Sequence, residues 1–504
     1  MWPQKFLDHP AWGWAMVLLG ALLRLRRFLQ ERGLMHDDAQ LASNIFSKTF
    51  AQLFRPLDIG DQAAPVGFLV LQKCSILLFG HGERAIRLIP FLAAVFVLPL
   101  FFLTVRRIFG NRTALFAIAL LALAEPLVHY SAEAKQYSTD VLWTAVVLAL
   151  ALRAGSIPTL NVLGVVGAIL LWFSHPMLFV LGGIGLTLFI SHLHDKQYKL
   201  ARADAVMGVA WLASFGANYL LISRYYVAND YLRTYWQKLA AFAPFSDSLR
   251  DVLWYPTALV ELFKYPLGIL PSGDSHLAVR VISLVAVGMF VLGCVVMEQR
   301  SKKILGFIAL TILLAIAASA LQRYPFAERL TLFCAPLVVL PLAVAMGIGW
   351  WWRNRRRTVF WIVIGAILFV YPVYIQAKYA VHPEVLYDAK PAINYVKAHW
   401  RAGDSLYLHW GSDVLGTYYL NADPALAIAP ADLVKGIFEP NPAARSRRYG
   451  DDLLQLRGRR RVWIVFSMDP DKDRLLIEQI LDRRGKLLDH EQFNGSTADL
   501  YDLR

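Results

Sequence analysis

Long uncharged apolar runs alternate with short polar bridges along most of this chain, a pattern that predicts helices crossing a lipid bilayer. A segment in hydrocarbon must pair every backbone amide and carbonyl internally, and about 20 apolar helical residues span its ~30 Å. Ile304 to Gln322, Leu330 to Trp352 and Thr358 to Ala377 fit most plainly. Val281 to Met297 and Ala205 to Ser223 follow. The stretch from Ala154 to Ser191 is interrupted by Ser174-His175-Pro176, which predicts two helices joined by a tight turn. Asp8 to Arg27, Ala85 to Val105, Thr113 to Tyr130 and Ser138 to Leu152 bring the expected number of spans to about 11.

After about Lys378 the pattern changes, and charges become distributed among short alternating runs. Ser405 to Trp410 and Arg461 to Phe466 read as strands. Asp473 to Arg484 reads as a helix, because Leu476, Ile477, Ile480 and Leu481 recur at one-turn spacing. Lys486 to Leu488 and Asp499 to Leu503 would add strands. The chain is thus expected to divide into a membrane-embedded part, residues 1–378, and a small α/β domain, residues 379–504. Two further segments read as more than turns. Pro65 to Phe79 is too short and interrupted for a span and fits a helix lying at the interface. Arg224 to Leu277 mixes Tyr225, Tyr226, Tyr231, Tyr235, Trp236, Trp254 and Tyr255 with charges and prolines, which suits the headgroup layer.

Short loops rich in Lys and Arg tend to stay cytoplasmic. Arg106, Arg107 and Arg112 occupy one such loop, and Lys196, Lys199 and Arg202 another. Arg300, Lys302 and Lys303 form a third, and Arg353, Arg355, Arg356 and Arg357 a fourth. The expected spans put all four on one side with the amino terminus. Residues 32–84, 224–277, 322–329 and everything after about Lys378 then face outward. Arg24, Arg26 and Arg27 at the outer end of the first span oppose this rule and need acidic partners, phosphates or snorkelling to the interface.

A hydrophobic content of 57% excludes an ordinary soluble protein, and the net charge of +14 is accounted for by anchoring residues and attraction to anionic membrane lipids. No nucleic-acid motif accompanies that charge, so no nucleic-acid partner is expected. Cys74, Cys294 and Cys334 stand in apolar surroundings without metal-ligand spacing. No cleavable signal is expected, and neither a nucleotide fingerprint nor a nucleophile elbow is present.

Candidate chemistry gathers on the outward segments. Asp37 and Asp38 leave the first span; they could cap the helix beginning near Ala39, or one could accept a proton from an attacking hydroxyl. Lys135, Arg329 and Arg84 stand near outer helix ends and could offset the charge of a phosphate leaving group. His129, Glu133 and Tyr137 make a polar patch around Lys135. Any one of these residues could instead be an interface anchor.

In order and context these motifs resemble the polyprenyl-phosphate-dependent membrane glycosyltransferases of the GT-C fold, over about residues 10 to 420. The resemblance is particularly to the bacterial relatives of dolichyl-phosphate-mannose protein mannosyltransferases and to lipid A aminoarabinose transferases. Asp37-Asp38-Ala39 looks like that family's Asp-Glu-Ala motif, which implies that Asp37 is the base and Asp38 its acidic neighbour. Glu133-Ala134-Lys135-Gln136-Tyr137 is similar to its Glu-Ala-Arg-Pro-Tyr segment, and Tyr324-Pro325-Phe326-Ala327-Glu328-Arg329-Leu330 resembles its late outward segment. The resemblance therefore implies phosphate roles for Lys135 and Arg329, with Arg84 an alternate and Tyr324 a further cavity residue. Ala63-Ala64-Pro65-Val66 departs from the Lys-Pro-Pro motif of aminoarabinose transferases.

The implied donor is a sugar on a polyprenyl phosphate such as undecaprenyl phosphate, and the implied acceptor is an envelope glycan, lipid or protein. The implied place is a bacterial inner membrane, with the active site and the α/β domain on its periplasmic or external face. Some relatives use a divalent metal near the acidic loop; spacing here establishes none. A transporter or flippase for lipid-linked saccharides is the alternative, and donor cleavage separates the two.

Overall fold

The computed structural model describes residues 8–30, 32–245, 248–271, 276–349, 355–382, 388–421, 428–439, 441–467 and 470–504. Helix α1, Pro10–Leu29, leads to a short helix α2, His36–Ser47, and then to α3, Val66–Phe79, where an interface helix is expected. Next comes α4, Glu83–Leu123, which breaks at Gly110 (φ 84°), so the two expected spans in this region are its two arms. Gly110 takes a backbone conformation that other residues adopt only under strain. Helices α5, Tyr137–Ala151, α6, Ile157–Leu170, and α7, Met177–His194, follow, the last two joined through Ser174-His175-Pro176 as the sequence predicts. Helix α8, Tyr198–Asn218, runs on through a π-helical turn, Tyr219–Ser223.

The aromatic-rich segment forms α9, Asp230–Lys238, and α10, Leu249–Glu261. The bundle is completed by α11, His276–Arg300, α12, Lys302–Ala320, α13, Ala335–Gly349, and α14, Arg355–Val381. Among the described residues seven helices are long and apolar enough to cross a membrane, and α3, α5 and α6 are shorter apolar helices. The chain is a polytopic α-helical membrane protein. Arg353 of the fourth basic loop, and the Trp351-Trp352 end of the run from Leu330, lie outside the described residues.

Helix α15, Lys390–His399, opens the last part of the chain. There β1, Ser405–Leu408, is followed by α16, Trp410–Asn421, and the short strand β2, Leu433–Lys435. Then come α17, Pro442–Leu454, β3, Val462–Ser467, α18, Pro470–Asp482, β4, Lys486–Phe493, and β5, Ser496–Asp502. The sheet order is β2-β1-β3-β5-β4, with β1 parallel to both neighbours and β5 antiparallel to both of its own. Strand β2, which carries only three ladder residues, is the one the sequence pattern missed.

One face of this sheet is covered by α17 and α18, through Tyr449, Leu453, Ile477 and Leu481. The other carries α15 and α16, and its apolar core continues into Leu41 and Ile45 of α2, Phe68 and Leu69 of α3, and Ile86 of α4. Helix α2 is therefore gripped between the membrane bundle and the α/β layer. Two hydrogen bonds fix the turn that leads into it: Gly33 N donates to Asp388 Oδ2 at 2.8 Å and Leu34 N to the Tyr419 hydroxyl at 2.7 Å.

Of the three arginines that oppose the charge rule, Arg24 and Arg26 find backbone carbonyls and Arg27 a histidine ring. Buried Arg24 donates to Gly20 O, Ala122 O and Leu121 O, closing the carbonyl end of α4. Arg26 donates to Tyr379 O and Ala380 O at the end of α14, and Arg27 pairs with His129 Nδ1 at 2.9 Å. The last turn of a helix leaves its carbonyls without partners and bears partial negative charge, so cations are stabilised there.

Candidate active site

Asp37 and Asp38 occupy the first turn of α2, whose amino-terminal cap is Met35 with no side-chain cap bond, so neither carboxylate is spent on capping. Successive helical residues point about a quarter turn apart, and here that separates their environments completely. The Asp37 side chain is 45% exposed. Asp38 is 2% exposed and faces the segment between α4 and α5.

That segment supplies Glu133, also buried, which forms an ion pair with Arg32. Asp38 Oδ2 and Glu133 Oε2 are both buried without an ordinary donor, yet the two carboxyls share a hydrogen bond. One of them must hold the proton. Burial, then the charge and hydrogen bond of Glu133, push Asp38 well above the usual carboxylate range. Burial opposes ionisation of Glu133 too, but Arg32, the Asp38 hydrogen bond, His129 and Arg87 together hold it well below that range. The shared proton is therefore held by Asp38 and the charge by Glu133.

Lys135 is nearly buried and donates from Nζ to Gln62 Oε1 at 2.5 Å. Burial lowers its pKa, against the pull of Asp37 and Asp38. Gln62 immediately precedes Ala63-Ala64-Pro65, so the loop that lacks the lysine of Lys-Pro-Pro receives an ammonium from a different segment. Arg329 donates from Nη2 to Asp37 Oδ2 at 3.3 Å, lies 5.5 Å over the Trp236 ring and hydrogen-bonds with Tyr137.

His129 Nε2 lies 3.5 Å from Glu133 Oε1, and burial lowers its pKa to about 4, leaving a neutral imidazole. Tyr324 is held by its hydroxyl on Leu330 O at 2.8 Å and by its ring 5.0 Å from Phe179, which fixes the approach to Arg329. The structure thus brings together Asp37, Asp38, Lys135, Arg329, His129, Glu133, Tyr137 and Tyr324.

Arg84 is placed differently. It is exposed at the start of α4, whereas Arg87, one turn later, is buried and donates to Arg32 O and Gly33 O at 2.9 and 2.7 Å. Arg87, with Arg32 and Gln62, is what the sequence reading missed. Helix α4 is apolar around its whole circumference, so no periodic signal separates its buried stripe from its lipid-facing one.

With Asp38 neutral, the cations Arg32, Arg87, Lys135 and Arg329 outnumber the carboxylates Asp37 and Glu133. A compact excess of positive charge beside one exposed carboxylate can hold an oxyanion while the carboxylate accepts a proton. No group of three or more potential metal ligands occurs among the described residues.

A family model described as dolichyl-phosphate-mannose-protein mannosyltransferase matches residues 63–215, which include Glu133, Lys135 and Tyr137. None of the curated proteins matches the sequence. ArnT from Cupriavidus metallidurans bound to undecaprenyl phosphate has a similar structure, with a TM-score of 0.57 at 14% identity over 97% of this chain and 98% of that one. Archaeal oligosaccharyltransferase AglB from Archaeoglobus fulgidus, in complex with an inhibitory peptide and a dolichol-phosphate, gives 0.54 at 12% identity over 100% of this chain and 75% of that one. The expected GT-C fold is borne out: the chain has the fold shared by these ArnT-type and AglB-type proteins.

Proposed function

We propose that this protein is a glycosyltransferase that moves a sugar from a polyprenyl phosphate to an envelope glycan, lipid or protein, with inversion at the anomeric carbon. The observation that carries the reading is the Asp37–Arg329 pair with Lys135 beside it: a partly exposed carboxylate next to two cations. The acceptor oxygen attacks the anomeric carbon as its proton passes to Asp37. The bond from that carbon to the phosphate oxygen breaks, and its electron pair leaves with the polyprenyl phosphate. Lys135 and Arg329 stabilise the charge gathering on that leaving group. Because the lipid delivers the activated sugar, no nucleotide cradle is needed. A divalent metal is not required by this scheme, although Asp37 would be its nearest exposed ligand.

In this reading the spans number about 11, counting α1, both arms of α4 and the shorter α5 and α6. Residues 1–378 form the membrane-embedded part, and residues 379–504 an α/β domain on the same outer face as Asp37. Contacts within the bundle support that arrangement. Arg112 donates to Asp8 at 2.6 Å and Lys303 lies 3.9 Å from Asp195, joining basic loops at one end. Gln237 meets Gln322 at 2.9 Å at the end that carries Asp37 and Arg329.

Purified protein incubated with defined polyprenyl-phosphate sugars and envelope fractions should release polyprenyl phosphate and label an acceptor. Movement of intact donor across vesicle bilayers without its cleavage would instead establish a flippase.

A further inference from the structure

Helix α5 carries polar groups deeper than Tyr137 that the proposed chemistry does not use. Asp140 is 4% exposed and its carboxyl meets the Ser174 hydroxyl, while Trp143 Nε1, His175 Nε2 and Tyr226 OH are buried without a hydrogen-bond partner. These atoms form one neighbourhood. Asp140 and Trp143 lie on one face of α5, one turn apart. The Ser174 hydroxyl lies against the Asp140 carboxyl, the adjacent His175 ring is 6.3 Å from that of Tyr226, and Trp143 is 6.2 Å from Phe173.

The neighbourhood adjoins the active site. Three residues of helix rise put Asp140 ~4.5 Å below Tyr137, and Tyr137 meets Arg329. Gly67 N donates to Trp172 O at 2.8 Å, tying the loop that bears His175 to the start of α3. Asn229 Nδ2 donates to Asp61 Oδ1 at 2.7 Å, holding the Tyr226 segment beside the loop of Gln62. Tyr226 lies three residues past the π-helical turn Tyr219–Ser223, a local departure from regular helix that is frequent at functional sites.

Unpaired polar groups at membrane depth are costly, and several on facing elements call for a ligand that pairs them. The cluster mixes donors with acceptors and includes aromatic faces. It has no cation and one acid, so it would repel a phosphate, and its polarity is wrong for a prenyl tail. A neutral polyhydroxylated ring, which both donates and accepts and offers C–H faces to aromatic rings, fits it. Resting on the transferase reading above, we propose that Asp140, Trp143, His175 and Tyr226 form the subsite that grips the sugar of the donor, one helical turn below the phosphate cations.

The test compares binding of undecaprenyl phosphate with binding of a panel of its epimeric hexosyl and pentosyl monoesters. The unaltered protein and the Asp140→Asn, His175→Phe and Tyr226→Phe variants are measured side by side, each checked for unchanged thermal unfolding. The unaltered protein should bind at least one ester about tenfold more tightly than the bare lipid. His175→Phe and Tyr226→Phe should abolish that preference and reorder the epimers, while affinity for the bare lipid stays within about twofold. The subsite is overturned if the unaltered protein shows no preference among the lipids, if the preference survives in all three variants, or if bare-lipid affinity falls in step with it. Failure of the unaltered protein to bind undecaprenyl phosphate at all would remove the transferase reading itself, a separate outcome.

Discussion

Arg329 and Asp37 stand 292 positions apart in the chain and meet at 3.3 Å, the cation arriving just ahead of α13 and the carboxylate on the first turn of α2. The pair is partly open, with side-chain exposures of 26% and 45%, which suits groups that must exchange their mutual contact for a substrate. Replacing Asp37 by Asn keeps volume and removes the base. Turnover should fall roughly 10²-fold or more with donor affinity changed far less. Donor titration and single-turnover kinetics on the folded variant check this, and ordinary turnover in both Asp37→Asn and Asp38→Asn would reject the site.

Asp38 is the contrasting case. Because it already carries a proton, Asp38→Asn mimics its resting state and should leave turnover within about tenfold of the parent. Loss of activity in Asp38→Asn alone would transfer the role of base to it. Glu133→Gln should be worse tolerated, since it removes the buried partner of the ion pair with Arg32, a change that costs on the order of 3 kcal/mol. Thermal unfolding in detergent distinguishes the two.

The same pair sets a dependence on pH. The folded state keeps a proton on Asp38 that the unfolded chain releases above the ordinary value of 3.8, so this contribution to stability is full below that value and declines as pH rises through the raised one. Glu133 runs the other way: its contribution is present above the ordinary 4.5 and is lost as pH falls below it. From about pH 5 up to the raised value of Asp38, the Asp38 slope acts alone of the two. Melting temperatures of Asp38→Asn should therefore vary less with pH over that window than those of the parent. Equal slopes would show that Asp38 is ionised.

Lys135→Met should weaken binding of undecaprenyl phosphate, because burial has placed an ammonium where a phosphate can pair with it. A loss of about tenfold or more is expected. Isothermal titration would measure it. Arg84→Met, at an exposed position, should change that affinity little.

Arg24→Met should destabilise the protein by about 2–4 kcal/mol without altering catalysis at a matched folded fraction, since the carbonyls of Gly20, Leu121 and Ala122 lose a charged donor where water is scarce. Chemical or thermal unfolding reports the cost.

Topology supplies the last check. Cysteines placed at Lys199 and Asp451 should react with impermeant reagents from opposite sides of the membrane, and those at Asp37 and Asp451 from the same side.

What the chain determines by itself is mostly local. Uninterrupted apolar runs must be helical in lipid, Ser174-His175-Pro176 must interrupt one, and alternation in Ser405 to Trp410 and Arg461 to Phe466 must give strands. Each follows from backbone pairing and side-chain period, and needs no partner. Motif order also brought Asp37, Lys135 and Arg329 forward as candidates. Tertiary structure decided what those side chains do. Adjacent in sequence, Asp37 and Asp38 look interchangeable; only the approach of Glu133 and Arg87 buries one as an acid and leaves the other a partly exposed carboxylate. Arg84 and Arg87 differ by one turn of a helix apolar on every face, so their fates depend on which stripe packs against the turn at Gly33. Arg24 looked like a violation of the charge rule until the carbonyl end of α4 came against it. Charge and burial are set by neighbours far away in the chain, and those the local pattern does not contain.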